Sequence, residues 1–404
     1  MNRMLAVVEP SSIPKPEQAL PPDVPPELLP SELPSPEPSS PERSLLRLRA
    51  VHRAAAELRR GAPVLLDSGA PLVLLAAETV GPLGLEELAA VAAHPPVLLL
   101  APVRAAAVLH RPVEQTGAAV ALRLPAALLM PQALRSLADP TGVQPPVVAL
   151  DPVTVPLHAG EALALVKLAQ LLPAALAAPA GPLAGEAATR LGVLRVDAAD
   201  VLTYRAAAAG GLRKVAEAAV PLDSVEDTRI VAFRTEDGGA EHLAIVVGAP
   251  QTREAPLVRL HSECFTGDLL GSLRCDCGAQ LKGAIRRMGE EGAGVVLYLA
   301  QEGRSIGLVN KLRAYALQDR GLDTLDANRA LGWGADERNF LVAATMLGEL
   351  GIRRIRLLTN NPEKVAALAA CGIEVVSREP HAFPPNGVND HYLATKARRF
   401  GHLL

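Results

Sequence analysis

Cysteine, net charge and long apolar runs are what this sequence has least of. Four cysteines occur in 404 residues, and 40 basic against 43 acidic side chains leave a formal charge of only −3. A balance so near zero gives no electrostatic reason for nonspecific nucleic-acid binding. No stretch approaches the roughly 18 uncharged apolar residues of a membrane span. The start, MNRMLAVVEPSSIP, carries one arginine and an apolar run too short for a secretory leader, and it meets proline at once. The expectation is a cytoplasmic protein. In that reducing compartment closely spaced cysteines read as metal ligands or catalytic groups before disulfides.

Length and composition then set the organisation. A chain of this size with 49% apolar residues is expected to form two domains, each with enough to bury. Residues 1–43 hold 12 of the 36 prolines among Ser and Glu, as in PPDVPPELLPSELPSPEPSSPE. Such a segment buries too little apolar area to offset its ordering entropy, so a disordered tail is predicted. Residues 44–222 are dominated by Ala, Leu, Val and Pro. PVLLLAPV and PPVVALDPVTVP read as short buried strands, with LRLRAVHRAAAELRRG and GEALALVKLAQLLPAAL as helices. Polar groups are scarce there. From Asp223 to Leu404 the style changes: IVAFRT, EHLAIVVG and LVRLHSEC read as strands, CGAQLKGAIRRMGEEG as an amphipathic helix ending at Gly292, and GVVLYLAQEG as a further strand. The fold class expected is mixed α/β (α+β), two domains each with a mixed sheet and packed helices. Chemistry is expected in the second domain.

That domain contains HSECFTGDLLGSLRCDCGAQL, which holds three of the four cysteines. Cys264, Cys275 and Cys277 admit three readings: a disulfide with a spare thiol, buried small residues, or three legs of a metal site. Cys-x-Cys places two thiolates close enough for one ion, and Cys264 at a strand end can close the third side. Three protein ligands leave the fourth position of a tetrahedral zinc to water, the catalytic arrangement. His261, Glu263 and Asp276 are the nearby alternatives for a fourth ligand, which would make the zinc structural. Polar and flexible neighbours (Arg274, Asp276, Gly278) speak against simple core packing, whereas Cys371, inside AALAACGIEVV, reads as core.

Further motifs follow in order. QEGRSIGL places Glu302, Gly303 and Arg304 at a strand's carboxyl end, where open α/β sheets bind ligands, although a salt-bridged turn would look the same. In NKLRAYALQD, Lys311 and Arg313 flank Tyr315 and suit phosphate oxygens, a solvated helix face being the plain alternative. GADERNF sets Asp336 two residues from Arg338, either a surface ion pair of little worth or a base beside a phosphate-binding group. In LLTNNPEK, Thr359 and Asn360 end a strand, Asn361 caps a helix with Pro362 at its first position, and Lys364 lies in the first turn, where free N–H groups favour anions.

Together, VRLHSECFTGD, SLRCDCGAQL, QEGRSIGL, NKLRAYALQD, DTLDAN, ADERNF, LLTNNPEK and the closing GHLL make residues 258–404 resemble GTP cyclohydrolase II, the first enzyme of riboflavin synthesis. The resemblance implies a hydrolase in which Cys264, Cys275 and Cys277 bind one zinc. It implies that Arg259, Glu263, Gln280, Glu302, Gly303, Arg304, Thr324, Thr359 and Lys364 contact GTP, with Mg²⁺ bridging the triphosphate. Asp336 would be a proton acceptor, Arg338 a nucleophile or phosphate-activating group, and Tyr315 an assistant at the opening ring. Glu302 and Gln280 would read the guanine edge. A homodimer is implied in the same way, with neither nucleic acid nor membrane as partner. A cyclohydrolase-like paralogue in another pathway and a non-catalytic GTP-binding zinc protein are the alternatives. Residues 44–222 resemble a degenerate 3,4-dihydroxy-2-butanone-4-phosphate synthase: DSGAPLVLL keeps Asp67 of an acidic loop, and Ala159, Gly160 and Glu161 stand where that family has His-Thr-Glu.

Overall fold

The computed structural model describes residues 41–114, 117–143 and 150–403. The tail expected over 1–43 lies outside the described residues up to position 40. Its last three residues instead open the helix Pro41–Arg60. Proline in a first turn forfeits no hydrogen bond, and Glu42 there meets the positive end of the helix dipole.

Two seven-stranded sheets organise the rest. In the first, β1 (Val64–Leu66), β2 (Leu72–Ala76), β3 (Val97–Leu100), β4 (Val120–Arg123), β5 (Asp151–Val153), β6 (Ala174–Pro179) and β7 (Leu194–Val196) lie in the order β5-β4-β3-β6-β2-β1-β7. β1 and β7 are parallel, and the other neighbours antiparallel. Leu65, Val73 and Leu75 face one core, while Val64, Leu66, Leu72, Leu74 and Ala76 face another. Side chains alternate along a strand, so a strand covered on both faces must be apolar throughout, which is why LVLLA reads as an unbroken run.

The second sheet comprises β8 (Arg213–Ala219), β9 (Thr228–Arg234), β10 (Glu241–Gly248), β11 (Leu257–Ser262), β12 (Ala293–Leu299), β13 (Arg354–Leu358) and β14 (Glu374–Glu379), ordered β14-β13-β11-β12-β10-β9-β8. β12, β11, β13 and β14 run parallel. β8 lies ten residues before the boundary expected at 223. Its residues, RKVAEAA, are all exposed on the sheet edge, so it has no apolar alternation by which to be read.

Two other expectations need correction. GEALALVKLAQLLPAAL is not one helix. The helix Ala159–Leu168 stops, Gln170 turns at φ 57°, and after Pro173 the residues Ala174–Leu176 enter the central strand β6. The helix has already ended before the left-handed Gln170, Pro173 keeps the chain from resuming it, and small alanines let β6 sit between two tightly packed layers. PPVVALDPVTVP falls partly outside the described residues. Its described strand, β5, is an edge strand with Asp151 and Pro152 exposed rather than buried. Cys371 is partly buried against the core of the second sheet, as read.

Each sheet has a core of its own, and one further core is shared between the two halves. Ile306, Ala314, Leu317, Ala327, Leu331 and Trp333, all from the second half, are buried in the same cluster as Leu65, Leu98 and Leu176 of the first sheet. No helix among the described residues is long and apolar enough to cross a membrane.

Candidate active site

Three adjacent parallel strands, β12, β11 and β13, end at one pocket, the place where open α/β sheets take ligands. Glu263 and Cys264 follow β11, the Gln301–Ser305 loop follows β12, and Thr359 and Asn360 follow β13. The helix Cys277–Glu291 brings Cys277 and Gln280 to the same place.

The loop after β12 is wound left-handed at three consecutive residues, Gly303 (φ 62°), Arg304 (φ 65°) and Ser305 (φ 73°). For the two non-glycine residues this costs about 1–3 kcal/mol each, a strain that persists only where surroundings enforce it. Glu302 supplies the enforcement. Its Oε2 accepts from the Phe265 N–H at 2.6 Å, and its Oε1 accepts from the Gly303 N–H at 3.0 Å and from Lys311 Nζ at 2.8 Å.

Cys264, Cys275 and Cys277 converge so that their sulfurs lie within 4.8 Å of one another, the one such group of His, Cys, Asp or Glu among the described residues. The Cys264 and Cys275 sulfurs are 3.8 Å apart. Two thiolates at about 2.3 Å from a tetrahedral zinc would be separated by about 3.8 Å, so the cluster fits that ion. Around it, Cys264 is the easiest of the three to ionise: hydrogen bonds from the Cys275 and Cys277 thiols hold its pKa far below the usual thiol range, and the Lys311 ammonium, 3.0 Å away, adds to this. Asp268 fixes the backbone here. It accepts from the Cys264 N–H (3.0 Å) and the Tyr298 hydroxyl (3.1 Å), and lies 3.0 Å from His261 Nε2. Of the three conceivable fourth ligands, His261 is thus engaged by Asp268. Asp276 is engaged by Gln280 and by Lys396 Nζ at 2.6 Å. Glu263 lines the pocket, its carboxyl pushed up first by burial and then by Glu302 and Asp268.

Gly267 roofs the thiols. A Cβ at this position would stand 2.7 Å from the Cys275 sulfur and 2.9 Å from both the Cys264 sulfur and the Cys277 Cβ. Gly267→Ala is therefore expected to splay the cluster and weaken metal retention by about 10- to 100-fold, the usual cost of disturbing what orients a ligand. Metal content after dialysis against a graded chelator series measures this, and wild-type retention would show that the roof is not needed.

Beside the thiols the pocket is strongly cationic. Arg259, Arg304, Lys311, Arg338, Lys364 and Lys396 line it, against the carboxylates of Glu263 and Glu302. Burial pushes Arg259 down to about 10, and its Nη1 donates to the Leu358 carbonyl at 3.1 Å. Lys364 is pushed well down by burial, then by Arg338 and Arg259, while its Nζ donates to the Leu260 carbonyl at 2.9 Å. Arg304 is likewise lowered by burial and stacks on Phe400, 3.8 Å from the ring centre. Buried cations that disfavour one another are relieved by a polyanion.

Of the residues singled out in the sequence, the three cysteines, Arg259, Glu263, Gln280, Glu302, Gly303, Arg304, Tyr315, Thr324, Arg338, Thr359 and Lys364 all line this pocket. Asp336 stands behind Arg338, whose Nε donates to both of its oxygens at 2.8 and 3.0 Å. Burial raises the Asp336 carboxyl, but the bonds from Arg338 outweigh it and the group lies below its ordinary value. Arg313 is not in the site. Two positions from Lys311 it occupies another face of the helix Leu308–Gln318 and pairs with Glu78 and Asp139 of the front half, each at 2.9 Å. The side chains of Glu302 and Gln280 are bonded internally, Gln280 linking Arg259 to Asp276. The sequence reading missed Asp268, His261 as its partner, Lys311 as a neighbour of the thiols, and the closing helix Asp390–Phe400 with Tyr392 and Lys396 in the pocket. Asp268 sits within the quoted VRLHSECFTGD. The helix carries no motif of its own, and GHLL comes only after it.

A thiol cluster that could hold a metal ion and a cationic cleft suited to an anionic ligand meet at the ends of parallel strands, and the comparisons with known proteins narrow this. The family model described as GTP cyclohydrolase II matches residues 213–380. The GTP cyclohydrolase-2 of Azospirillum brasilense is 51% identical over 369 residues, covering 88% of this chain and 94% of that protein. That of Yersinia pseudotuberculosis is 52% identical over 193 residues, 48% of this chain and 98% of its own length. The chain belongs to the GTP cyclohydrolase II family. Among solved structures, a two-domain 3,4-dihydroxy-2-butanone 4-phosphate synthase from A. baumannii is similar at a TM-score of 0.32 and 19% identity, over 82% of this chain and 99% of that one. The Candida albicans synthase aligns at 0.31 and 18%, over 38% of this chain and 96% of that one.

Proposed function

We propose that this chain hydrolyses GTP to 2,5-diamino-6-ribosylamino-4(3H)-pyrimidinone 5′-phosphate, formate and pyrophosphate, the entry step of riboflavin synthesis. The observation that carries the reading is the meeting of a three-thiol cluster and six cations in one pocket. Neither a structural metal site nor a simple nucleotide cleft needs both.

Cys264, Cys275 and Cys277 would hold zinc. Bound there, zinc would supply Lewis acidity and make water acidic enough at neutral pH to serve as the nucleophile that attack at C8 of guanine needs. Tyr315 keeps its proton, since burial raises its phenol, and so can donate to the ring nitrogen released as the imidazole opens. Arg338, Lys364, Arg259 and Arg304 neutralise the triphosphate and activate it for loss of pyrophosphate, and a Mg²⁺ ion arriving with the substrate would add further charge neutralisation. Asp336 stays ionised against Arg338 and orients that guanidinium; as a proton acceptor it serves in its carboxylate form. Glu302 and Gln280 would meet the guanine edge only by exchanging their present bonds, whereas Glu263 reaches the pocket without doing so. Thr324 and Thr359 supply hydroxyls along its wall.

For the front half we propose no synthase chemistry. Asp67, the acidic residue it retains, is tied to Arg195 Nε at 3.0 Å. A two-domain division, a homodimer and a cytoplasmic location complete the proposal. Incubating purified protein with GTP and identifying products by mass is the direct test. Formate and pyrophosphate in equal amounts are expected, and unchanged GTP in the presence of zinc and Mg²⁺ would leave a binding protein only.

A further inference from the structure

The loop that carries Asp336 and Arg338, Gly334 to Asn339, has no helix or strand of its own, so something else must hold it. Much of that support comes from the front half. Lys167 Nζ donates to Glu337 Oε1 at 2.7 Å, and the Gly334 N–H donates to the same oxygen at 2.9 Å. Arg205 Nη1 donates to the Glu337 carbonyl at 2.7 Å, and Asn339 Nδ2 returns a bond to the Arg205 carbonyl at 2.8 Å. From the other side Gln301 Nε2 donates to the Asn339 carbonyl at 2.9 Å, and the Glu337 N–H to the Arg304 carbonyl at 3.3 Å. Glu337 therefore faces the front half while its neighbour Arg338 lines the pocket.

The same turn of the front half braces the other loop. Three residues beyond Lys167, the Gln170 carbonyl accepts from Asn310 Nδ2 at 2.9 Å. Gly307, at φ 86°, lies so close that a Cβ there would be 3.0 Å from Gln170 Oε1. Lys167 and Gln170, at the end of the helix Ala159–Leu168, thus touch the supports of both Arg304 and Arg338. The ionic part of this contact is shielded: Lys167 and Glu337 side chains are 25% and 16% exposed. Burial raises the Glu337 carboxyl, yet Lys167 outweighs this and holds it below its ordinary value, so Glu337 is ionised at neutral pH.

We propose that the front half is a positioning element of the cyclohydrolase: Lys167 and Arg205, acting through Glu337, hold Arg338 at the distance from the triphosphate that the reaction requires. The proposal rests on the role given to Arg338 above. Neither Lys167 nor Arg205 lines the pocket, so neither is a catalytic residue. Their effect is on geometry, where a displacement of about 1 Å costs up to about 100-fold in rate.

The test uses the full chain carrying Lys167→Met and Arg205→Met. Expected is a fall in kcat of about 10- to 100-fold, with KM for GTP, zinc content and melting temperature close to wild type. Lys167→Arg, which keeps the cation, should recover most of the rate. A role in stability alone would lower the melting temperature and leave kcat per zinc-loaded chain unchanged, and that result would overturn the proposal. Should the double variant fail to fold, Glu337→Gln removes the Lys167 ion pair from the other side while leaving the Arg205 bond to the carbonyl of residue 337, and it must lower kcat in the same sense; a normal kcat there overturns the proposal equally. Arg338→Ala run in parallel separates the two layers. Inactive Arg338→Ala with active Lys167→Met/Arg205→Met sinks the positioning claim alone, whereas active Arg338→Ala sinks the reading beneath it.

Discussion

Arg338→Ala is expected to lower GTP turnover by about 10³-fold or more while metal content and fold stay as in the wild type. The guanidinium is buried at the pocket wall, its side chain only 9% exposed, and Asp336 fixes it through Nε and Nη2. A fixed, desolvated arginine aimed at a phosphoryl group is worth about 10³- to 10⁵-fold in related chemistry, because it neutralises charge that develops only as the bond breaks. The substitution also leaves Asp336 without its main counter-charge, beside the anionic substrate. Nothing in the thiol cluster is bonded to Arg338, so metal content should not move. Steady-state turnover together with metal analysis on the same preparation decides the matter. Normal turnover would remove Arg338 from the mechanism.

Cys275→Ser is expected to lose zinc and formate release together. The Cys275 sulfur lies 3.8 Å from that of Cys264, the spacing of two ligands on one small ion. Serine puts a shorter, less acidic and harder oxygen there, and its hydroxyl does not ionise near neutral pH as a zinc-bound thiol does. The six cations of the pocket remain, so GTP should still bind. The signature is therefore an intact binding isotherm with no ring opening, the reverse of a folding defect. If the variant released formate at the normal rate, the cluster would have no part in opening the ring.

The rear half was legible because its chemistry is local in sequence. Cys275 and Cys277 are one residue apart, the strand Leu257–Ser262 runs straight into Cys264, and Asn361 with Pro362 announces its helix, where the Asn361 side chain does accept from the Glu363 N–H. Contacts between residues far apart were not legible by the same means. Lys396 and Asp276 meet across 120 positions and Lys167 and Glu337 across 170. Neither pair leaves a local pattern, since a single lysine on a helix reads as solvated until its partner is known. The front half was harder for a different reason. In LLPAAL, leucine and alanine suit helix and buried strand alike, and pairing with β2 and β3, not propensity, makes Ala174–Leu176 a strand. Arg313 shows the limit in the other direction. The motif drew it towards phosphate, yet its face of the helix turns it to Glu78 and Asp139.

The most direct measurement of whether the three thiols are a catalytic metal site is a zinc titration of the chelator-stripped protein, with formate release from GTP followed at each addition. Activity is expected to rise in proportion to bound zinc and to reach its plateau at one ion per chain, with Cys275→Ser staying flat across the range. Full formate release from protein shown to hold no metal would contradict it.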